Sequence, residues 1–178
     1  EVQFKVRHLV SKVSGYLKEF SATVETEGQD FTTAKIAFIA NANSISTNNE
    51  QRDEHLRAKD FLDTATYPHI TFNSDKLESK DNNSYLLHGT LKIKDVEKPV
   101  VLKVEHGGLQ KDPWGNYRAG FFVEGKINRK DFGINFHMLT ETGGILVGDE
   151  VAIECNVEFI KQVERKSSTV EQKEMQAA

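Results

Sequence analysis

Apolar and polar side chains alternate along most of this chain with a period of two. Val2, Phe4 and Val6 alternate with Gln3, Lys5 and Arg7, the pattern of a strand with one buried face. Val13, Gly15 and Leu17 continue it, and then the parity flips to Phe20, Ala22 and Val24. One extra residue moves every later side chain to the other face, so the flip predicts a bulge or bend between Leu17 and Phe20. Further strands are expected near Ala34 to Ala42, His69 to Leu77, Ser84 to Ile93, Pro99 to His106, Arg118 to Ile127 and Val151 to Phe159. Turn-forming stretches such as Lys80-Asp81-Asn82-Asn83 and Lys111-Asp112-Pro113-Trp114-Gly115-Asn116 separate several of them, and Trp114 is expected to pack at its turn. About eight short strands with one apolar face each predict an all-β barrel or sandwich, not a parallel sheet.

One segment breaks the period. Residues 48–63 read NNEQRDEHLRAKDFLD, without a β-branched residue, and predict a helix of about four turns capped by Asn48 or Thr47. Leu56 and Phe61 give it a narrow apolar strip, and the rest is charged. From Lys161 onward the chain is polar and without a clean period, so residues 161–178 are expected to form a loose tail or frayed helix behind a single domain of residues 1–160.

Composition sharpens this picture at a few points. The chain has 178 residues, enough for one domain with a substantial core. Its net charge of -4 argues against non-specific affinity for nucleic acid, which needs a basic footprint. The single cysteine, Cys155, excludes an intrachain disulfide and a multi-thiolate metal site. It shares a face with Val151, Ile153, Val157 and Phe159, so it reads as a small core residue. No apolar run approaches the length of a transmembrane helix. The chain opens at Glu1 in a strand pattern with no export signal in view; a cytoplasmic location is the expectation, or a periplasmic one if a signal was removed upstream.

The densest polar cluster is Arg52-Asp53-Glu54-His55. On a helix Arg52 and His55 are three apart and share a face, while Asp53 and Arg57 are four apart and can pair. No Gly-x-Ser-x-Gly elbow occurs, and Gly143-Gly144 lacks the Lys-Ser/Thr of a phosphate loop, so no catalytic residue is assigned. The histidines are scattered and form no His-x-x-x-His pair, so no metal site is expected.

Several segments stand out in order along the chain: Phe4-Lys5-Val6-Arg7-His8-Leu9, Asn43-Ser44-Ile45-Ser46-Thr47, Arg52-Asp53-Glu54-His55-Leu56-Arg57, Asp60-Phe61-Leu62-Asp63 and Tyr67-Pro68-His69-Ile70-Thr71-Phe72. Gly89-Thr90-Leu91-Lys92-Ile93-Lys94-Asp95-Val96, Asp112-Pro113-Trp114-Gly115, Asn128-Arg129-Lys130-Asp131-Phe132-Gly133 and Gly148-Asp149-Glu150-Val151 follow. Together and in this order they resemble the YceI-like family of polyisoprenoid-binding proteins. The resemblance implies an eight-stranded antiparallel lipocalin-like barrel with a short helical segment near its mouth. It also implies a non-enzymatic role: carriage of a long-chain amphiphile such as a polyprenyl phosphate, an isoprenoid quinone, or a fatty amide or acid. A homodimer is a further implication of the likeness.

A barrel of that size either fills with side chains or holds one ligand. Ala22, Ala40, Ala42, Gly89, Ala119, Gly125 and Cys155 are inward candidates small enough to leave room. An empty void of roughly 400 Å³ would cost on the order of 10 kcal/mol, so such a space is expected to hold a lipid. The tail is assigned to a tunnel of Phe4, Val6, Phe38, Phe61, Phe72, Leu91, Phe121, Val123, Phe132 and Ile153. The head group is assigned to His8, Arg52, Asp53, His55, Asn128 and Arg129. A pyrophosphate would suit Arg52, and a quinone oxygen would suit His55. Arg129 either meets the head group or pairs with Asp53 or Asp131 to lock the end of the barrel. Two other functions stay open: an enzyme using Arg52, His55 and Asp53 as acid, base and orienter, and an interaction module whose cavity is incidental.

Overall fold

The computed structural model describes residues 1–137 and 147–161. The tail expected after Lys161, and the Gly143-Gly144 stretch, lie outside the described residues. Within them the alternating segments hydrogen-bond into one sheet of ten strands. These are β1 (Val2–His8), β2 (Ser11–Leu17), β3 (Phe20–Glu27), β4 (Asp30–Asn41), β5 (Ile45–Ser46), β6 (His69–Asp81), β7 (Ser84–Ile93), β8 (Val96–Lys111), β9 (Tyr117–Asn128) and β10 (Val147–Ile160). Their order is β3-β4-β6-β7-β8-β9-β10-β1-β2-β5, and each neighbouring pair is antiparallel.

The parity flip marks a corner of this curled sheet. β2 pairs with β1, then the chain passes through Lys18 and Glu19 and becomes β3, which pairs with β4. Asn41 N donates to Glu19 O at 2.9 Å and Lys18 N to Ser44 O at 3.3 Å, which holds the corner. One bent strand thus joins the two sides of the sheet order. Counting β2 and β3 together and setting aside the two-residue β5 leaves eight long strands, so the expected and observed numbers differ only in how the corner is counted. The strands overrun their apolar stretches, as β8 and β10 do at both ends, because ladder hydrogen bonds need no apolar side chain.

The helix is shorter than its pattern predicts. α1 spans Glu50–Arg57, two turns instead of four, and Asn49 caps it by accepting from Arg52 N. Neither Asn48 nor Thr47 is the cap: Asn48 takes a left-handed φ of 58°, which swings the chain into the helix. After Arg57 the backbone turns extended at Ala58 and coils through bonds such as Asp63 N to Ala58 O, 2.9 Å. That coil buries both Phe61 and Leu62, where a continued helix would aim them about 100° apart.

The turn between β8 and β9 is built around Asp112. Its carboxylate accepts from Trp114 N (3.0 Å), Asn116 N (2.9 Å), Asn116 Nδ2 (3.2 Å) and Arg118 Nε (2.9 Å). The bond from Arg118, with those from Asn116 and Trp114, holds the acid down to about 2. Trp114 does not pack at this turn as expected; it is 81% exposed, because the polar lock alone satisfies the turn. A carboxylate held below its ordinary value contributes fully above that value and is lost as pH falls through the depressed one. Protection of the Trp114 and Asn116 amides, taken as the exchange rate relative to the unprotected rate at the same pH, should therefore hold down to about pH 4 and fall toward about pH 2. Asp112→Asn should show the reduced protection already at neutral pH.

Candidate functional site

The inner face of the sheet encloses a cavity of about 830 Å³. Phe4, Val6, Phe38, Phe61, Phe72, Leu91, Phe121, Val123 and Ile153 border it. Phe132 does not. The chain has left the β9 ladder at Asn128, strand alternation no longer aims its side chains inward, and Phe132 is buried in the core outside the lining.

Small side chains are not the main source of this room. Of the seven expected, only Ala22 and Cys155 border the cavity. Gly89 and Gly125 are roofed instead: a Cβ on Gly89 would sit 2.3 Å from Phe72 Cζ, and one on Gly125 2.3 Å from Leu102 Cδ2. Gly15 is covered in the same way by Phe4, whose Cζ would lie 2.2 Å from its Cβ. Glycine on one strand lets the large side chain of a neighbour lie flat against the wall and leave the bore clear. Burial pushes the Cys155 thiol up to about 11, so it lines the wall as a protonated, apolar group.

Polar groups gather at the α1 end. Arg52 and His55, three apart on α1, both border the cavity, joined by Arg7, His8, Gln51, Asn49 and Arg129. Among the described residues the lining holds three guanidinium groups and no carboxylate. Arg52 Nε donates to Thr47 Oγ1 at 2.8 Å, which leaves the outer nitrogens of its fork for a ligand. The His55 ring stands edge-on to Phe61 and Phe136, both at 4.9 Å, while its Nε2 meets Asp60 Oδ2 at 2.7 Å.

Two residues assigned to the head group do other work. Asp53 is buried and turned into the protein, where Oδ1 accepts from Thr47 N (2.7 Å) and Thr47 Oγ1 (2.6 Å). Burial pushes its carboxyl up, but the bonds from Thr47 and Ser46 and the charge of Arg57 outweigh that and hold it below its usual value. It anchors the start of α1 and borders no ligand space, because its helix position points away from Arg52 and His55. Asn128 caps the 3₁₀ turn Arg129–Phe132 by accepting from Lys130 N at 3.0 Å, and it too lies outside the lining.

Arg129 borders the cavity and also closes its end. It is 4% exposed and donates to Gly148 O (2.9 Å), Ile134 O (2.7 Å) and Asp149 Oδ1 (3.1 Å). Its acidic partner is Asp149, neither Asp53 nor Asp131, because β10 enters directly beside the end of β9. Lys130, bonded at 2.9 Å, and then Arg129 hold the Asp149 carboxyl below its usual value. Arg7, Ile134 and Phe136 are lining residues that the sequence reading missed. Ile134-Asn135-Phe136 carries a short alternation that points to a buried face; Arg7 carries no signal, since a register shift between Val6 and His8 brings it to the rim. Among the described residues no three His, Cys, Asp or Glu side chains converge as metal ligands, and no helix is long and apolar enough to cross a membrane.

Comparison with known proteins adds to this geometry. The family model for the YceI-like domain matches residues 1–159. A UPF0312 protein of Staphylococcus aureus is 38% identical over 160 residues, covering 89% of this chain and 91% of that protein. The crystal structure of a YceI protein of Campylobacter jejuni superposes with a TM-score of 0.77 at 33% identity, over 89% of this chain and 91% of that one. A polyisoprenoid-binding domain of Saccharophagus degradans, implicated in plant cell wall breakdown, shares the fold at a TM-score of 0.67 and 13% identity, over 90% and 93% of the two chains.

Proposed function

The chain belongs to the YceI-like family, and from that membership and its lumen we propose that it binds and carries one long-chain amphiphile, an isoprenoid or a fatty-chain lipid. The cavity carries this reading: about 830 Å³ of apolar space whose charged lining, among the described residues, is confined to one end and is wholly cationic. A hydrocarbon tail fills the bore, each buried CH₂ contributing about 0.8 kcal/mol. The head group sits beside Arg52, Arg7 and the histidines. Guanidinium forks favour a phosphate or carboxylate, and also accept a quinone or amide oxygen less strongly. The polyisoprenoid-binding domain of Saccharophagus degradans has the same fold, which supports an isoprenoid as the first ligand to try. Binding without bond cleavage fits the site, because Asp53 is tied to Thr47 and cannot complete an acid-base trio with Arg52 and His55.

Native mass spectrometry on gently purified protein should show an added lipid mass. In loading assays Arg52→Gln should weaken a polyprenyl phosphate about tenfold and leave the matching polyprenol nearly unchanged. A bare protein mass, with no uptake of prenyl lipids or fatty amides at micromolar concentration, would overturn the reading.

A further inference from the structure

At the end of the bore away from α1, Phe31, His106, Phe121 and Phe159 form an aromatic layer, with ring centroids 4.9 to 5.8 Å apart. The inner face of the sheet continues beyond this layer. Directly paired residues share a face, so the pairs His106 with Phe121, Leu109 with Ala119 and Lys111 with Tyr117 lead outward to the rim. An odd step from His106 to Leu109 would ordinarily reverse the face. The bulge at Gly107-Gly108 restores it, and Gly108 takes the φ of 104° that this requires. Near the rim Leu109 is 49% exposed although its partner Ala119 is 8% exposed, Tyr117 is 45% exposed, and Trp114 in the turn is 81% exposed.

Large exposed apolar residues are ordinary when scattered; here three stand together on one lip. The Asp112 lock holds that lip in shape, so docking would order little that is loose. Its chemistry is specific as well. Trp and Tyr have an apolar body and a polar tip, and Lys111 Nζ lies 5.7 Å from the Tyr117 ring centre. Aromatic amphiphiles with a long cationic side chain are what the membrane–water interface selects. The nearby carboxylates of Asp112 and Glu158 are both paired with Arg118, so they offer little repulsion to lipid head groups.

We infer that the β8–β9 lip docks this protein on a lipid bilayer, seating Trp114, Tyr117 and Leu109 in the interface at the end of the sheet that the aromatic layer closes. The inference rests on the carrier reading, since a carrier of a membrane amphiphile must meet the bilayer that supplies or receives it.

Trp114 is the single tryptophan of the chain, so its emission reports on the lip alone. On vesicles of phosphatidylcholine, with or without phosphatidylglycerol, the emission should shift to the blue and be quenched by brominated acyl chains. Trp114→Ser with Tyr117→Ser should reduce co-sedimentation about tenfold or more and leave the melting temperature unchanged. Unshifted emission without co-sedimentation overturns the inference. So does a blue shift that appears without vesicles and grows with protein concentration alongside a doubled mass in light scattering, which would assign the lip to a second copy. Loading is measured separately, from detergent-dispersed polyprenyl phosphate. Protein that loads but ignores vesicles loses the docking inference and keeps the carrier reading; protein that docks but never loads does the reverse.

Discussion

Gly15→Leu is expected to close the bore to long chains while the sheet stays folded. Phe4 and Gly15 are paired across β1 and β2, and the Phe4 ring lies where a Gly15 side chain would go, with Cζ, Cε1 and Cε2 at 2.2, 2.6 and 3.0 Å from an added Cβ. Every one of those clashes is with a side chain, so the ring moves and the backbone need not. Both residues face inward, so the ring can only swing into the lumen. Losing contact with three methylenes of a ligand would cost about 2.4 kcal/mol, about fifty-fold in affinity. Long polyprenyl tails should suffer most and short-chain analogues least. Adding Phe4→Ala should restore loading, because the volume has then moved from one strand to its neighbour; without such rescue the loss is not steric. Gly89→Ala should behave differently. Its Cβ would also meet the Asn73 carbonyl oxygen at 2.5 Å, so it should lower the melting temperature and not merely narrow the bore.

Arg129→Met is expected to destabilise the protein by about 3 kcal/mol, a fall of roughly 6 to 12 °C in melting temperature. The substitution keeps the length and apolar stem of the side chain but leaves the carbonyls of Ile134 and Gly148 without their donor and Asp149 without one of its two cations. Denaturant titration should show a lower midpoint with an unchanged slope. Arg129→Lys should recover only part of the loss, since one ammonium cannot reach acceptors spread around a planar fork. A midpoint within experimental error of the parent protein would mean that this end of the barrel is held by something other than Arg129.

Much of the fold was legible because strand alternation is a local property. The faces of β1, β4, β6, β7, β8, β9 and β10 follow from neighbours two residues apart, and the parity flip at Leu17 to Phe20 located the corner. The helix was overextended because residues 58–63 have helical propensity, and the burial of Phe61 and Leu62 overrides it. Among site residues, those on strands with a clear period landed on the lumen. The exceptions were Asp53 and Phe132, which sit in helical turns, and Asn128, the last residue of β9, which caps the turn that follows. There a side chain's direction depends on a cap or a hydrogen bond, such as that from Thr47, that no spacing rule reports.

By itself the sequence determined that an apolar face runs along every long strand and that charge is concentrated in the helical segment, since both depend on residues close together in the chain. The tertiary structure alone decided that the enclosed face keeps about 830 Å³ open, and that Phe4, Phe72 and Leu102 lie flat over glycines of neighbouring strands. It also decided that Arg7, Arg52 and Arg129 meet at one end while Trp114 and Tyr117 stand out at the other. These are relations between residues far apart in the chain, and their geometry exists only once the sheet has curled and brought them together.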